Sequence, residues 1–353
     1  MKLGRFIVDT HVHAQRLAAG KALRARGIED VSKVDYKTLS DVLRDAEAYD
    51  NSPRLLYDMA CYDVDMCVLV SAYGMSNAMN LDLMERYPDK FVAITDAKEY
   101  EDRCEKNGEE WTIKGVCEYL DQTLATKKFV GIGEVLPHMR PNTPVSEPLS
   151  RETVIKNSLQ VMEVARAHKV SVHVHAAGAT MGYRRSYSAG SSGPSTFNPL
   201  WVLDLAYAFP DVPIIIAHGG VAMWWWEKLY EECLYVAASH DNVYLEAGLW
   251  WADLYDKALN DPNIGAEKLL WGTDWGASIP IYEQRGVKPE TYPMQVRKQG
   301  VVRHQVDVMG WSQRQLLKLE VTQDEMNLIL GGNAVRIWNL KTPHSRLFQP
   351  KNW

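Results

Sequence analysis

His11 and His13 stand two residues apart, just after the apolar run Phe6-Ile7-Val8 near the N-terminus. In an extended strand alternate side chains share a face, so two imidazoles at this spacing can address a single metal ion. Such a pair alone is better explained by two solvated or core-packed histidines. Its weight comes from whatever else arrives at the same place. Three later stretches bring candidates: Val172-His173-Val174-His175-Ala176, Ile216-Ala217-His218-Gly219-Gly220 and Gly272-Thr273-Asp274-Trp275, each ending a short apolar run. A His or Asp at any one strand end is commonly only a loop anchor. Four strands delivering His and Asp to one rim call for chemistry. Histidine and carboxylate ligands with one position left open suit a catalytic divalent ion, zinc first and manganese second. Asp9, two residues before His11 and on the same face of a regular strand, is read as a partner supporting the ligand or the barrel floor, not as a ligand itself.

The elements that must position these residues follow from the hydrophobic pattern. After the opening strand, apolar or β-branched runs recur at 66–70, 91–95, 129–133, 170–174, 213–217, 243–246 and 269–272, which makes eight candidate strands. Longer helix-like segments, such as 154–168 and 201–209, lie between most of them, so the pattern is a repeated βα unit. Near-continuous apolar strands are what a parallel sheet covered on both faces requires. Eight such units predict an α/β fold, a (β/α)8 TIM barrel, formed by residues 1–353 as a single domain. The surplus over a minimal barrel falls at about 14–60 and about 276–320, as insertions after strand 1 and strand 8, on the side where barrel active sites are built. An open doubly wound sheet is the weaker alternative, because no Gly-rich dinucleotide fingerprint follows the first strand.

The composition narrows the partners. A net charge of −6 offers nothing to attract nucleic acid or an anionic membrane, so the expected partner is a small molecule. The N-terminal residues lack the apolar run of a signal peptide, and no stretch approaches a membrane span; the expected location is cytoplasmic. The five cysteines, Cys61, Cys67, Cys104, Cys117 and Cys233, are odd in number and show no C-x-x-C spacing. They are read as reduced, mostly buried thiols.

Asp9-Thr10-His11-Val12-His13, Val174-His175, Ala217-His218-Gly219-Gly220, Gly272-Thr273-Asp274-Trp275 and the late Gly332-Asn333-Ala334 together resemble the amidohydrolase superfamily. Within it the chain is similar to the amidohydrolase-2 branch, which holds aminocarboxymuconate-semialdehyde decarboxylase and the metal-dependent aromatic acid decarboxylases. Arg86-Tyr87-Pro88-Asp89-Lys90-Phe91 is typical of that branch, and the resemblance runs from residue 9 to residue 334. It implies His11, His13, His175 and Asp274 as ligands of one divalent ion, with His218 as the unligated catalytic histidine and Asp274 serving also in proton transfer. It implies His173, two residues deeper than His175, as a packed or supporting residue. Glu134, closing Gly131-Ile132-Gly133-Glu134, stands where other branches carry a metal-bridging lysine or glutamate. A single ion is usual in this branch, which makes Glu134 a supporting or substrate contact here, with a bridging role and a second metal as the lesser alternative. The implied reaction is metal-dependent, non-oxidative decarboxylation of an aromatic or unsaturated carboxylic acid. The alternatives are hydrolysis of an amide, lactone or C–C bond of an aromatic-derived substrate, or a non-catalytic metal-binding scaffold. Branch relatives are commonly oligomeric, so a homo-oligomer, dimer or larger, is expected.

The residues after the strands suggest the substrate. Trp224 within Met223-Trp224-Trp225-Trp226, Trp250 within Trp250-Trp251, and Trp275 all follow strand ends, and such a concentration favours a flat aromatic or apolar ligand. Three consecutive tryptophans cannot all face one pocket, so some must pack elsewhere. The Gly/Ser-rich stretch from 181 to 194 carries Arg184 and Arg185, either of which is a candidate clamp for a carboxylate. It is equally a candidate solvated loop or subunit contact. Val221-Ala222-Met223-Trp224-Trp225-Trp226 departs from the branch's usual short continuation, and the 280–315 segment is unusually long and basic.

Overall fold

The computed structural model describes residues 5–17, 24–28, 48–71, 76–134, 151–176, 198–221, 226–276 and 307–342. The opening apolar run leads into β1 (Val8–Val12). After a short antiparallel pair, β2 (Gln15–Leu17) with β3 (Ala48–Asp50), come β4 (Met66–Leu69), β5 (Phe91–Thr95), β6 (Phe129–Ile132), β7 (Ser171–His175), β8 (Ile214–Ala217), β9 (Val243–Glu246) and β10 (Leu269–Leu270). β1 and β4 to β10 form one eight-stranded sheet in chain order, and the pairings between neighbours are parallel. The ring comes back on itself through the backbone: Thr10 N donates to Trp271 O (3.0 Å) and His13 N to Trp275 O (2.7 Å). The fold is a (β/α)8 TIM barrel, and all eight expected strands are present.

Helices cover the outside: α1 (Ser52–Cys61), α2 (Asn77–Arg86), α3 (Lys98–Asn107), α4 (Ile113–Ala125), α5 (Arg151–His168), α6 (Val202–Ala208), α7 (Trp226–Ser239) and α8 (Ala252–Leu259), followed by α9 (Val308–Leu316), α10 (Gln323–Asn327) and α11 (Asn333–Trp338). The segments expected to be helical at 154–168 and 201–209 are α5 and α6. No helix among the described residues is long and apolar enough to cross a membrane. The β2–β3 pair was not foreseen: two three-residue strands show no alternation to read. Residues 18–23, 29–47 and 277–306, which make up most of the two expected insertions, lie outside the described residues.

Alternate strand residues sort into two packed sets. Val8, Val68, Val70, Ile94, Ile215 and Leu270 pack together inside the barrel, above Trp338 of α11. Ile7, Cys67, Leu69, Ala93, Val172, Val174, Ile214 and Ile216 pack outward with the helices. β1 breaks the alternation once. Val8 belongs to the inner set, yet Val12, four residues on, belongs to the outer one. The cause is a register shift between Asp9 and Val12 against β4. A bulge of this kind re-aims the side chains that follow it, so the strand can fill the floor with Val8 and still turn His11 and His13 into the mouth.

The opposite end is closed by a wide π-type turn, Leu328–Gly332, running into α11. Ile329 O accepts from Trp271 N (3.0 Å). Asn333 Nδ2 donates to Ala266 O and Leu269 O (2.8 Å each). The late Gly-Asn-Ala motif is thus a structural clasp on the last barrel strand.

Candidate active site

Strand ends bring seven ionisable side chains together at the C-terminal mouth. His11 and His13 come from β1, Glu134 from the end of β6, His175 from β7, His218 from the turn after β8, Glu246 from β9 and Asp274 from the stretch after β10. His11 donates from Nδ1 to Glu246 Oε2 (2.5 Å), and His13 pairs through Nδ1 with Val70 O (2.9 Å). Both rings therefore present Nε2 to the centre. There His13 Nε2 lies 2.9 Å from Asp274 Oδ1, and His11 Nε2 lies 3.7 Å from the same oxygen and 3.4 Å from Glu134 Oε2. The other Glu134 oxygen, Oε1, contacts His175 Nδ1 and lies 3.0 Å from His218 Nε2. One carboxylate thus faces His11 with one oxygen and His175 and His218 with the other.

Among the described residues, three overlapping groups could hold an ion, with donor atoms mutually within 4.8 Å: His11, His13 and Glu134; His11, His218 and Glu246; Glu134, His175 and His218. Two ligand atoms each about 2.1 Å from one tetrahedral ion stand roughly 3.4 Å apart, and the spacings around His11 Nε2, 3.4 Å and 3.7 Å, lie close to that value. His11 Nε2 is also buried and without a hydrogen-bond partner. A buried polar atom left in this way is costly unless something binds it. The donor set, with each Nδ1 of the first pair already committed to a carboxylate or carbonyl, fits a divalent metal.

Opposite charges hold the cluster together. Burial alone would lower the pKa of His11, but the Glu246 and Glu134 carboxylates outweigh it and hold the imidazole well above its ordinary range. His218 is raised in the same way, burial being overcome by the hydrogen bond to Glu134 and by the charges of Asp274 and Glu246. Burial would raise the two central carboxylates, yet His11 and His175 pull Glu134 well below the usual carboxylate range. The hydrogen bond from His13, with His218 and His11 behind it, lowers Asp274. The carboxylates thus favour positive charge at the centre of the cluster, which is the charge a divalent cation brings.

The backbone holds two of these residues in strained conformations. His218 and Asp274 both have positive φ (62° and 51°), uncommon outside glycine. After His218, Gly219 and Gly220 continue left-handed, and a Cβ on Gly219 would lie 2.6 Å from the Trp250 ring. Trp250 Nε1 donates to His218 O (3.2 Å), so the indole braces the turn that carries the imidazole.

An amidohydrolase family model (Amidohydro_2) matches residues 8–340. The chain belongs to the amidohydrolase-2 family. The family is metal-dependent, and the general function is that of a metal-dependent amidohydrolase-type enzyme. No curated protein sequence matches the chain. Among solved structures, this amidohydrolase is similar to an amidohydrolase from Burkholderia multivorans with bound HEPES (14% identity, 95% of this chain and 100% of that one, TM-score 0.56). It is similar also to 2,6-dihydroxybenzoate decarboxylase from Rhizobium (13% identity, 95% and 99%, TM-score 0.52). A third is a probable 2-pyrone-4,6-dicarboxylic acid hydrolase from Acinetobacter baumannii with citric acid bound (15% identity, 95% and 99%, TM-score 0.50). At these identities the likeness is one of fold.

In this amidohydrolase the five residues expected as ligands or base, His11, His13, His175, His218 and Asp274, all reach the mouth. Glu134 is more central than the resemblance implies. Asp9 accepts from Thr273 N (2.9 Å), Thr273 Oγ1 (2.5 Å) and His11 N (3.2 Å), tying β1 to the stretch that carries Asp274. Burial pushes its pKa up to about 7 against those hydrogen bonds. His173 lies deeper in the barrel, stacked on Trp338 at 5.7 Å and 3.3 Å from Ser171 Oγ. Burial, with the charge of His11, lowers its pKa to about 3. Trp250 is fully buried behind the His218 turn and so offers no face to a ligand. Trp275 is nearly buried and donates to Asp58 Oδ2 (2.9 Å). Arg184, Arg185 and Trp224 lie outside the described residues. Glu246 was missed as a site residue, although a carboxylate ending the apolar run Val243-Tyr244-Leu245 at a barrel mouth was the available signal.

Proposed function

We propose that this amidohydrolase is a hydrolase that cleaves an amide, lactone or C–C bond of a small aromatic-derived substrate, using two divalent ions, zinc first and manganese second. The observation supporting this reading is the position of Glu134, whose Oε2 faces His11 while its Oε1 faces His175 and His218. On one side His11, His13 and Asp274 would complete a site with Glu134. On the other, His175 and His218 would do so. Carboxylates shared between two ions are a feature of hydrolytic two-metal centres. Bound there, the ions polarise a carbonyl and bring the pKa of water toward ~7. The protein's own groups supply the rest. Asp274, whose side chain is 13% exposed and faces the mouth, accepts the proton of the attacking water and returns it to the leaving group. Asp9 and Thr273 hold the loop that aims it, and the His218 turn, braced by Trp250, fixes the far imidazole.

Decarboxylation of an aromatic or unsaturated carboxylic acid is the second reading. It is favoured by the raised pKa of His218 in the ion-free protein, which would let that imidazole protonate the carbon losing carbon dioxide. In that reading one ion is held by His11, His13, His175 and Asp274. Glu134→Gln separates the two. Hydrolysis predicts that the metal-loaded enzyme turns over members of a lactone, amide and ring-cleavage-product panel, and that Glu134→Gln lowers kcat by at least 100-fold and halves the bound metal. Carbon dioxide released from a hydroxybenzoate panel, with metal content unchanged in Glu134→Gln, contradicts it.

A further inference from the structure

Behind the imidazoles lies a second shared carboxylate. Glu246 is 1% exposed at the end of β9. Its Oε2 takes the Nδ1 proton of His11 (2.5 Å), and its Oε1 lies 3.8 Å from His218 Nδ1. Neither Glu246 Oε1 nor His218 Nδ1 has a hydrogen-bond partner, and both are buried. The His11 and His218 rings stack at 5.0 Å with their planes 27° apart, so one carboxylate backs both from the same side. On their far side, both Nε2 atoms face Glu134, at 3.4 Å and 3.0 Å. A carboxylate offers only acceptors. A neutral imidazole, the form that binds a metal, carries its free lone pair on Nε2 when its Nδ1 proton is given to such a carboxylate.

We propose that Glu246 is the positioning residue for both halves of the site: it holds His11 and His218 in the same Nδ1–H tautomer, so that both present Nε2 to the ions. The proposal rests on the two-ion reading above for the role of His218 as a ligand. For His11 it stands under either reading. Glu246 is 235 residues from His11 in sequence yet only β10 separates their strands in the closed ring, so one side chain from β9 reaches both the β1 imidazole and the one after β8.

The test is Glu246→Gln, whose amide offers one acceptor and one donor and so can keep the Nδ1–H tautomer of only one of the two rings. Long-range 1H–15N NMR of the zinc-loaded protein should show both rings as Nδ1–H in the wild type and one of them converted to Nε2–H in the variant. Zinc affinity, measured by chelator competition, should fall about 10- to 100-fold. Glu246→Asp retains two acceptors on a shorter stem. It should keep both tautomers with a smaller loss of affinity, and it decides the matter if Glu246→Gln does not fold. Both rings remaining Nδ1–H in Glu246→Gln with unchanged affinity overturns the proposal, as does a wild type that binds no zinc. A wild type with a single zinc ion and normal His11 behaviour overturns the two-ion reading and the His218 half, leaving the His11 half to the same spectra.

Discussion

His173 shows how a histidine next to a candidate ligand takes an opposite role. Two residues from His175 on the same strand, it points down the barrel, stacks on Trp338 and stays neutral because burial in an apolar setting disfavours its charge. In the unfolded chain its imidazole takes up a proton as the pH falls through about 6.5. In the folded protein it does so only near 3. Between those values the unfolded state binds one more proton, so stability falls with falling pH by about 1.4 kcal/mol per unit from this residue alone. His173→Gln should flatten that slope in urea titrations between pH 4 and 6, and an unchanged slope would mean that His173 is not buried neutral. The ligand-type histidines were legible in the sequence because each ends an apolar run. Glu246 was not singled out, because its meaning comes from His11, 235 residues away in sequence and brought near only when the barrel closes. Trp250, counted among possible substrate contacts for its place after a strand, is a brace instead: local position does not reveal which way an indole packs.

At the scale of elements, the barrel was readable and its irregularities were not. Eight apolar runs announce eight strands, since both faces of each are covered. The bulge in β1 has no mark in Val8-Asp9-Thr10-His11-Val12, yet it decides that His11 faces the mouth while Val8 fills the floor. The turn after β8 is the other irregular element. Its left-handed course through His218, Gly219 and Gly220 leaves no room for a side chain against Trp250. Gly219→Ala should cost about 1–2 kcal/mol for the left-handed backbone and about 1–3 kcal/mol for overpacking, read as a lower urea midpoint with unchanged m-value. Stability within about 0.5 kcal/mol of the wild type would contradict the packing of this turn.

At the scale of the molecule, a cluster of buried His, Glu and Asp is a folding cost that a bound cation offsets. Zinc should therefore raise the melting temperature in a concentration-dependent way. Because His11 and His218 hold protons above their ordinary range in the ion-free protein, metal and proton compete. The zinc-induced rise should be larger at pH 8 than at pH 6, and a rise independent of pH would place the metal elsewhere. The central claim is that Glu134 serves two sites at once, and anomalous scattering from crystals of the zinc-loaded protein tests it most directly. The account predicts two peaks about 3.5–4 Å apart, one among His11, His13 and Asp274 and one beside His175 and His218, with Glu134 touching both. A single peak bound by His11, His13, His175 and Asp274, with Glu134 away from it, would contradict the account.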